Sequence, residues 1–249
     1  MAIFLEVNPD LDAQAFTQAY ERDGFVQVPN LMTAESADYI AGILEQHVRW
    51  RLTISQDNTG ETSTPLDEEN IQAASRPFIE AKLKGALEGA RDGLGGYVYL
   101  SYPMITAYVE KWEPTHPIHI MVELINSPDF LALVRTVTGR PDIVKADALA
   151  TLYRPGDFLT QHDDSRGLGR VAAYTLGFTR AWRPDWGGQL LFHDDDGGIR
   201  RGFAPAFNTL TLFKVPQSHS VAPVAAYAGA PRLSIVGWAR NDGPSAEGV

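Results

Sequence analysis

Apolar positions change their period about half-way along the chain. Before Ile143 they recur mainly at helical spacing; after it they come in short runs separated by turn residues. Residues 10–50 read as helical, with Leu11, Ala15, Phe16 and Ala19 on one stripe. Gly24 interrupts that stripe, and Phe25–Val28 read as a short strand. Thr33 is placed to cap a second helix, with Glu35 and Ser36 in its first turn and Ala37, Ile40, Ile43 and Leu44 on its apolar face. Residues 53–75 are polar and read as a surface loop, either a substrate lid or a plain insertion. Residues 77–92 are helix-like and end at Gly93, Gly95 and Gly96. Tyr97–Tyr102 read as a strand whose tyrosines either bridge core and surface or line a substrate groove. Helical spacing returns over 120–137 and stops at Gly139 and Pro141.

The second half predicts strands at 143–153, 158–163, 171–178, 188–193, 208–215, 219–224 and 232–239, with turns such as Pro155-Gly156 and Asp196-Gly197-Gly198 between them. Helices followed by many short strands predict an α+β fold. Its core is a double-stranded β-helix, jelly-roll or cupin-like, with the N-terminal helices packed on one sheet. The expected organisation is a single domain over 1–249, with 1–142 mainly helical and 143–240 forming the jelly-roll core.

Composition narrows the chemistry. Apolar residues make up 44% of the 249, enough for a real core, and there is no cysteine. Disulfides, iron–sulfur clusters and zinc–thiolate sites are excluded, so a metal must be held by His, Asp or Glu. The formal net charge of -10 disfavours nucleic acid, whose binding rests on neutralising phosphates. No apolar run is long enough to span a bilayer. The first residues carry Glu6, Asp10 and Asp12 and no basic region, unlike a signal peptide. A cytoplasmic protein without membrane or nucleic-acid partners is expected. Oligomeric state is left open.

Six histidines compete for function. His162 and Asp164 are two residues apart in a strand-like segment, so both face one side while Asp163 faces away. His219, one strand away in a rolled sheet, is a third candidate. Two imidazoles and one carboxylate with open positions beside them suit non-haem Fe(II) oxygen chemistry. His193-Asp194 repeats the His-Asp pairing but runs into an Asp-Gly-rich hairpin tip, which explains it without a metal. His116 and His119 lie among prolines and read as a loop start, and His47 reads as a surface residue. In the last strand Arg232, Ser234 and Val236 share one face, Leu233 and Ile235 the other. An inward arginine needs an anion: a ligand carboxylate gripped by its fork, with the Ser234 hydroxyl adding a bond, or a structural Asp or Glu.

The motifs Tyr153-x-x-Gly156-x-Phe158-x-x-x-His162-x-Asp164, Gly187-Gly188-Gln189-Leu190, Ser218-His219-Ser220-Val221 and Arg232-x-Ser234-x-x-Gly237-Trp238 together resemble the Fe(II)/2-oxoglutarate-dependent dioxygenases, in particular their prolyl hydroxylase branch. The resemblance covers about 143–240, and Asp23–Pro29 is also similar to this group. It implies that His162, Asp164 and His219 bind Fe(II), that Arg232 pairs with the distal carboxylate of 2-oxoglutarate with support from Ser234, and that Tyr153 lies near this co-substrate. Where the family commonly has another tyrosine, Thr175 stands here, with Tyr174 beside it facing the other way. It further implies O2 as co-substrate, ascorbate as a candidate addition, and hydroxylation of an unactivated C–H, since Asp164 occupies the position that related halogenases lack. A prolyl residue of a protein or peptide is the implied substrate. The alternatives are a small molecule such as a free amino acid or secondary metabolite, a cupin-like isomerase or sugar-binding module without 2-oxoglutarate, and a non-catalytic interaction protein.

Overall fold

A computed structural model describes residues 5–57 and 63–243. The N-terminal half contains α1 (Gln14–Asp23), β1 (Phe25–Pro29), α2 (Ala34–Gln46), β2 (Arg51–Ser55), β3 (Thr64–Leu66), α3 (Glu68–Ala73), α4 (Arg76–Arg91), β4 (Tyr97–Tyr102), α5 (Met104–Val109), α6 (His119–Ile125) and α7 (Pro128–Thr138). The second half contains β5 (Lys145–Ala146), β6 (Leu149–Tyr153), β7 (Phe158–His162), β8 (Arg170–Phe178), β9 (Leu190–His193), β10 (Ile199–Phe203), β11 (Phe207–Lys214), β12 (His219–Val221) and β13 (Arg232–Arg240).

The strands form one strongly curled antiparallel sheet in the order β1-β11-β8-β13-β6-β4-β7-β12-β9-β10, with β2 and β3 beside β4 and β5 on β13. This is the double-stranded β-helix anticipated above. Alternation along the strands decides which residues face which layer. Leu176, Phe178, Leu210, Leu212, Leu233 and Ile235 turn outward and pack against Ile40, Leu44, Met121, Phe130 and Val134 of the helices. Each such side chain contributes roughly 1.5–3 kcal/mol when removed from water. The N-terminal helices α2, α6 and α7 thus cover one sheet. Helix α4 instead packs on β2 and β4 through Leu52, Ile54, Ala86 and Val98.

The opposite face of the same strands is polar. Register places Arg232 beside Tyr153, Ser234 between Thr151 and Gly177, and Val236 between Leu149 and Thr175. Thr151 Oγ1 and Ser234 Oγ bond each other at 2.9 Å, and Gln27 donates to Thr211 at 3.2 Å. Pairing of this kind offsets the cost of burying hydroxyls and amides. It also leaves a polar interior that an apolar core could not supply. The far end is closed by Phe25 stacked on Phe192 at 4.4 Å, with Phe213 edge-on to Phe192.

Several sequence expectations require correction. The helical stretch at 120–137 is two helices. Asn126 ends the first, its amide bonding the carbonyls of Val122 and Ala146, and Ser127 caps the second by accepting from Phe130 N, with Pro128 in the first turn. The polar segment 53–75 is not a plain loop: it contains the end of β2, all of β3 and α3, capped by Asp67. Residues 58–62 of that segment lie outside the described residues. Strand β10, which pairs with β9, escaped prediction because Ile199–Phe203 is largely exposed and lacks an apolar alternation.

Candidate active site

His162 ends β7 and His219 begins β12, and the two residues face each other across the strand pair. Their ring centroids are 4.1 Å apart. Asp164 arrives by a different route from the one its spacing suggested. The strand stops at His162, and Asp164 has φ +61°, in the left-handed region, so a turn rather than strand alternation swings its carboxylate back to the histidines. A non-glycine residue held there is strained unless its surroundings impose it, and such strain collects at functional sites. Asp163 also borders the cavity, and its carboxylate accepts from Ser165 N and Oγ.

His162 Nε2 lies 3.6 Å from Asp164 Oδ1, and His219 Nε2 lies 3.5 Å from Asp164 Oδ2. The ligating atoms of the three residues all fall within 4.8 Å of one another. Both imidazoles are oriented by backbone carbonyls: His162 Nδ1 lies 3.0 Å from Thr160 O, and His219 Nδ1 lies 2.7 Å from Gln217 O. A carbonyl can only accept, so the Nδ1 atoms carry hydrogen and the Nε2 atoms face Asp164. Burial, reinforced by the neighbouring His162, pushes His219 down to about 4, so it is neutral and available as a donor at neutral pH. Two imidazoles and one carboxylate on one side, with a cavity on the other, fit a divalent first-row metal with open coordination positions.

That cavity has a volume of about 1270 Å³ and is lined by all three residues. Arg232 sits in its wall and is 4% exposed. Its guanidinium lies 5.0 Å from the Tyr153 ring centre, yet Nη1 has no hydrogen-bond partner and no carboxylate of the described residues pairs with it. Burial pulls its pKa below the usual guanidinium value and pushes Tyr153 above the usual phenol value, so Tyr153 stays protonated. A buried cation with a vacant donor is costly until an anion enters. A carboxylate-bearing co-substrate fits that vacancy. Gly188, at φ +65°, keeps the backbone clear beside the Arg232 Cδ atom.

The remaining expected contacts divide. Thr175 and Tyr174 both border the cavity; the Tyr174 ring meets Phe130 of α7 edge-on at 6.0 Å and its hydroxyl donates to Asp147 O at 2.6 Å. Ser234 is 1% exposed, paired with Thr151, and lines a small pocket behind Arg232 rather than the main cavity. Tyr97 and Tyr99 line the cavity, which favours the groove reading for them; Tyr102 is buried in the core. Tyr99 stacks between Tyr97 and Tyr153 at about 5 Å, and burial holds its phenol well above the usual range. His193 is more than a hairpin tip. The Asp194–Gly198 turn is there, but the imidazole is half-buried, lines the cavity and meets Ser220 Oγ at 2.8 Å. His116 and His119 sit outside the cluster against backbone carbonyls of His47 and Glu113. Sequence reasoning passed over Arg170 and Thr151, both of which line the cavity.

Residues 148–240 match the family model described as the 2OG-Fe(II) oxygenase superfamily. The resemblance seen in the motifs is borne out. The matched segment contains His162, Asp164, His219 and Arg232, and it spans β6 to β13. Comparison with curated proteins gives no match. Among solved structures the chain is similar to a Pseudomonas putida prolyl-4-hydroxylase, at 18% identity and TM-score 0.58, over 92% of this chain and 99% of that one. It is also similar to a Trichoplax adhaerens prolyl hydroxylase in complex with a hypoxia inducible factor oxygen degradation domain peptide fragment, at 14% identity and TM-score 0.59, over 92% and 89%. A Burkholderia pseudomallei oxidoreductase of the 2OG-Fe(II) oxygenase family aligns at 12% identity and TM-score 0.59, over 97% of each chain. At these identities the likeness establishes the fold. No helix of the described residues is long and apolar enough to cross a membrane.

Proposed function

We propose that this chain is an Fe(II)- and 2-oxoglutarate-dependent dioxygenase that hydroxylates an unactivated C–H, with a prolyl residue of a protein or peptide as its substrate. The observation that carries the reading is one cavity holding two needs at once. Three donors converge on a point, and in the same wall a buried guanidinium lacks an anion. His162, Asp164 and His219 would hold the metal; Arg232, with Tyr153 beside it, would take the distal carboxylate of 2-oxoglutarate. Thr175 and Thr151 add hydroxyls to that wall, and Ser234 acts through Thr151. The bound iron would supply O2 activation coupled to loss of CO2 from 2-oxoglutarate, leaving succinate. The protein's share is orientation by the Thr160 and Gln217 carbonyls and a wall of tyrosines beside the substrate. The peptide reading is supported by the cavity lined by Tyr97 and Tyr99 and by the similar Trichoplax protein, which is in complex with a peptide fragment. A small carboxylic acid such as a free amino acid is the second reading, favoured by a further cation in the cavity. Ascorbate enters only as a reductant to be tested by addition.

The experiment is succinate formation with Fe(II), 2-oxoglutarate and a panel of prolyl peptides and amino acids. His162→Ala should abolish metal-dependent turnover in wild-type-like folded protein. Retained turnover would mean that the wrong histidine has been assigned.

A further inference from the structure

The cavity does not end at the metal ligands. His219 and Val221 of β12 face the interior, so Ser220 between them faces the other side of the sheet, and Ser218 shares that side. On β9, Leu190 and Phe192 enter the interior beside Phe25 and Phe213, so Leu191 and His193 join Ser220 on the outer face. Yet Leu191, His193, Ser218 and Ser220 border the same cavity as the three metal ligands. The hollow therefore passes over the rim where β7 ends and β12 begins, and runs on across the outside of the sheet. Arg170, whose guanidinium lies over the Trp238 ring at 3.5 Å, belongs to the metal side.

That outer face is only half covered. Helix α4 packs over β2, β4 and Phe158 of β7, and β12 and β9 lie beyond it. Leu191 joins none of the buried apolar clusters, and Gly202, opposite it on β10, puts no side chain over it. Along the step between helix and bare sheet stand Leu87 and Leu94, 58% and 70% exposed. The floor beside them is polar and already ordered. His193 Nε2 meets Ser220 Oγ at 2.8 Å, and Gln161 donates to Ser218 Oγ at 2.7 Å. Directly after His193 come Asp194, Asp195 and Asp196, all exposed and without an ion pair among the described residues.

An apolar step beside a polar floor, continuous with a reaction cavity, suits a polypeptide better than a small molecule. The whole hollow holds about 1270 Å³, above the roughly 300–1,000 Å³ of small-molecule sites. We propose that the outer face of β12 and β9, walled by the end of α4, docks a stretch of a protein substrate remote from the residue that reacts. The stretch is extended, sets an apolar side chain against Leu87, Leu94 and Leu191, and carries a Lys or Arg to the Asp194–Asp196 tip. This rests on the oxygenase reading above and states what its substrate carries away from the metal. The serine hydroxyls and His193 meet the segment's main chain, and the tip's carboxylates meet its cation. The net charge of -10 favours the same sign of partner.

Two measurements decide it. The first needs no turnover. A peptide of about six residues alternating lysine and photoleucine, roughly 20 Å when extended, is irradiated with the full chain, and the adducts are mapped by mass spectrometry. Adducts should fall on 87–94, 191–193 and 218–222, and a glutamate–photoleucine peptide of the same length should give few. Fluorescence anisotropy of a labelled lysine–leucine peptide should show about tenfold weaker binding to the double variant Leu87→Ser/Leu94→Ser, whose exposed positions leave the fold alone. Asp195→Asn/Asp196→Asn should weaken it too and flatten its salt dependence. Adducts confined to other surfaces, equal yields from both peptides, or wild-type affinity in Leu87→Ser/Leu94→Ser overturns the proposal. The second measurement is succinate formation with a capped Gly-Pro-Gly core, alone or with the lysine–leucine stretch on either flank. One flanked peptide should show a KM about tenfold below that of the core at similar kcat, and Leu87→Ser/Leu94→Ser should remove that advantage without changing the KM of the core. Equal KM for the core and both flanked peptides overturns the docking groove. Absence of succinate with every peptide would sink the oxygenase reading, and the adduct map would still decide the groove.

Discussion

At the scale of single residues, Arg232 is where stability and chemistry pull apart. It is 4% exposed with a vacant Nη1, an expense the ligand-free fold carries for no structural return. Arg232→Met keeps most of the volume and removes the charge. It should raise the thermal midpoint of the ligand-free protein, worth about 1 kcal/mol or more, because buried ions replaced by apolar groups of similar size are often neutral or stabilising. The same change should weaken 2-oxoglutarate at least about tenfold, since a charge-assisted hydrogen bond contributes roughly 1.5–3 kcal/mol. Calorimetry of co-substrate binding and of unfolding measures both. A lower midpoint with unchanged affinity would make Arg232 a structural cation. Asp164 illustrates how spacing can lead to a correct trio by an incorrect path. His-x-Asp was legible, but the backbone delivers the carboxylate through a left-handed residue beyond the strand end.

At the scale of elements, strand β13 joins the two sides of the molecule, and Gly237 is its narrowest point. A Cβ there would run into the carbonyl oxygen of Asp147, the same oxygen that accepts from Tyr174. Gly237→Ala should therefore destabilise the fold by about 1–3 kcal/mol through overpacking. Denaturant unfolding would register it as a lower midpoint with an unchanged slope; a wild-type midpoint would mean the β5–β6 connection yields freely. Six of the seven strands read from the second half of the sequence exist as single strands, and the seventh, 143–153, is split into β5 and β6; their period-two alternation follows a real division between a helix-covered face and an interior. The misses have local causes. Strand β10 has nothing to bury, so it leaves no apolar pattern. The Asn126–Pro128 break is written in Ser127-Pro128, a cap signal hidden within continuous apolar spacing. For the site, His162, His219 and Arg232 were legible because a charged or ligating group in an apolar strand needs a reason. Arg170 was not, since its neighbour Arg166, exposed on the same connection, has the same sequence character; only the Trp238 face separates them.

At the scale of the whole molecule, the tyrosines set a limit at high pH. Tyr20, Tyr99, Tyr153 and Tyr174 all have pKa values above the ordinary phenol value of 10.0, and burial is the first cause in each. In the unfolded chain the same groups lose their protons near pH 10. Their neutral forms stabilise the native state fully below that pH, and the contribution drains away as pH rises above it, because the unfolded state sheds protons that the native state retains. Each such group removes about 1.4 kcal/mol per pH unit once the unfolded form is ionised. A handful of them matches the roughly 5–15 kcal/mol that holds a domain together. The net charge of -10 grows more negative over the same range and adds self-repulsion. Alkaline unfolding should therefore be cooperative, with the phenolate absorbance of these four buried tyrosines appearing together with loss of circular dichroism rather than ahead of it. Tyr20, which packs beneath the helices away from the cavity, isolates the effect: Tyr20→Phe should move the alkaline midpoint upward while leaving co-substrate binding alone. Ionisation of all nine tyrosines with secondary structure intact would show that these hydroxyls reach water in the native state, and the cavity wall formed by Tyr99 and Tyr153 would then have to be regarded as open to solvent.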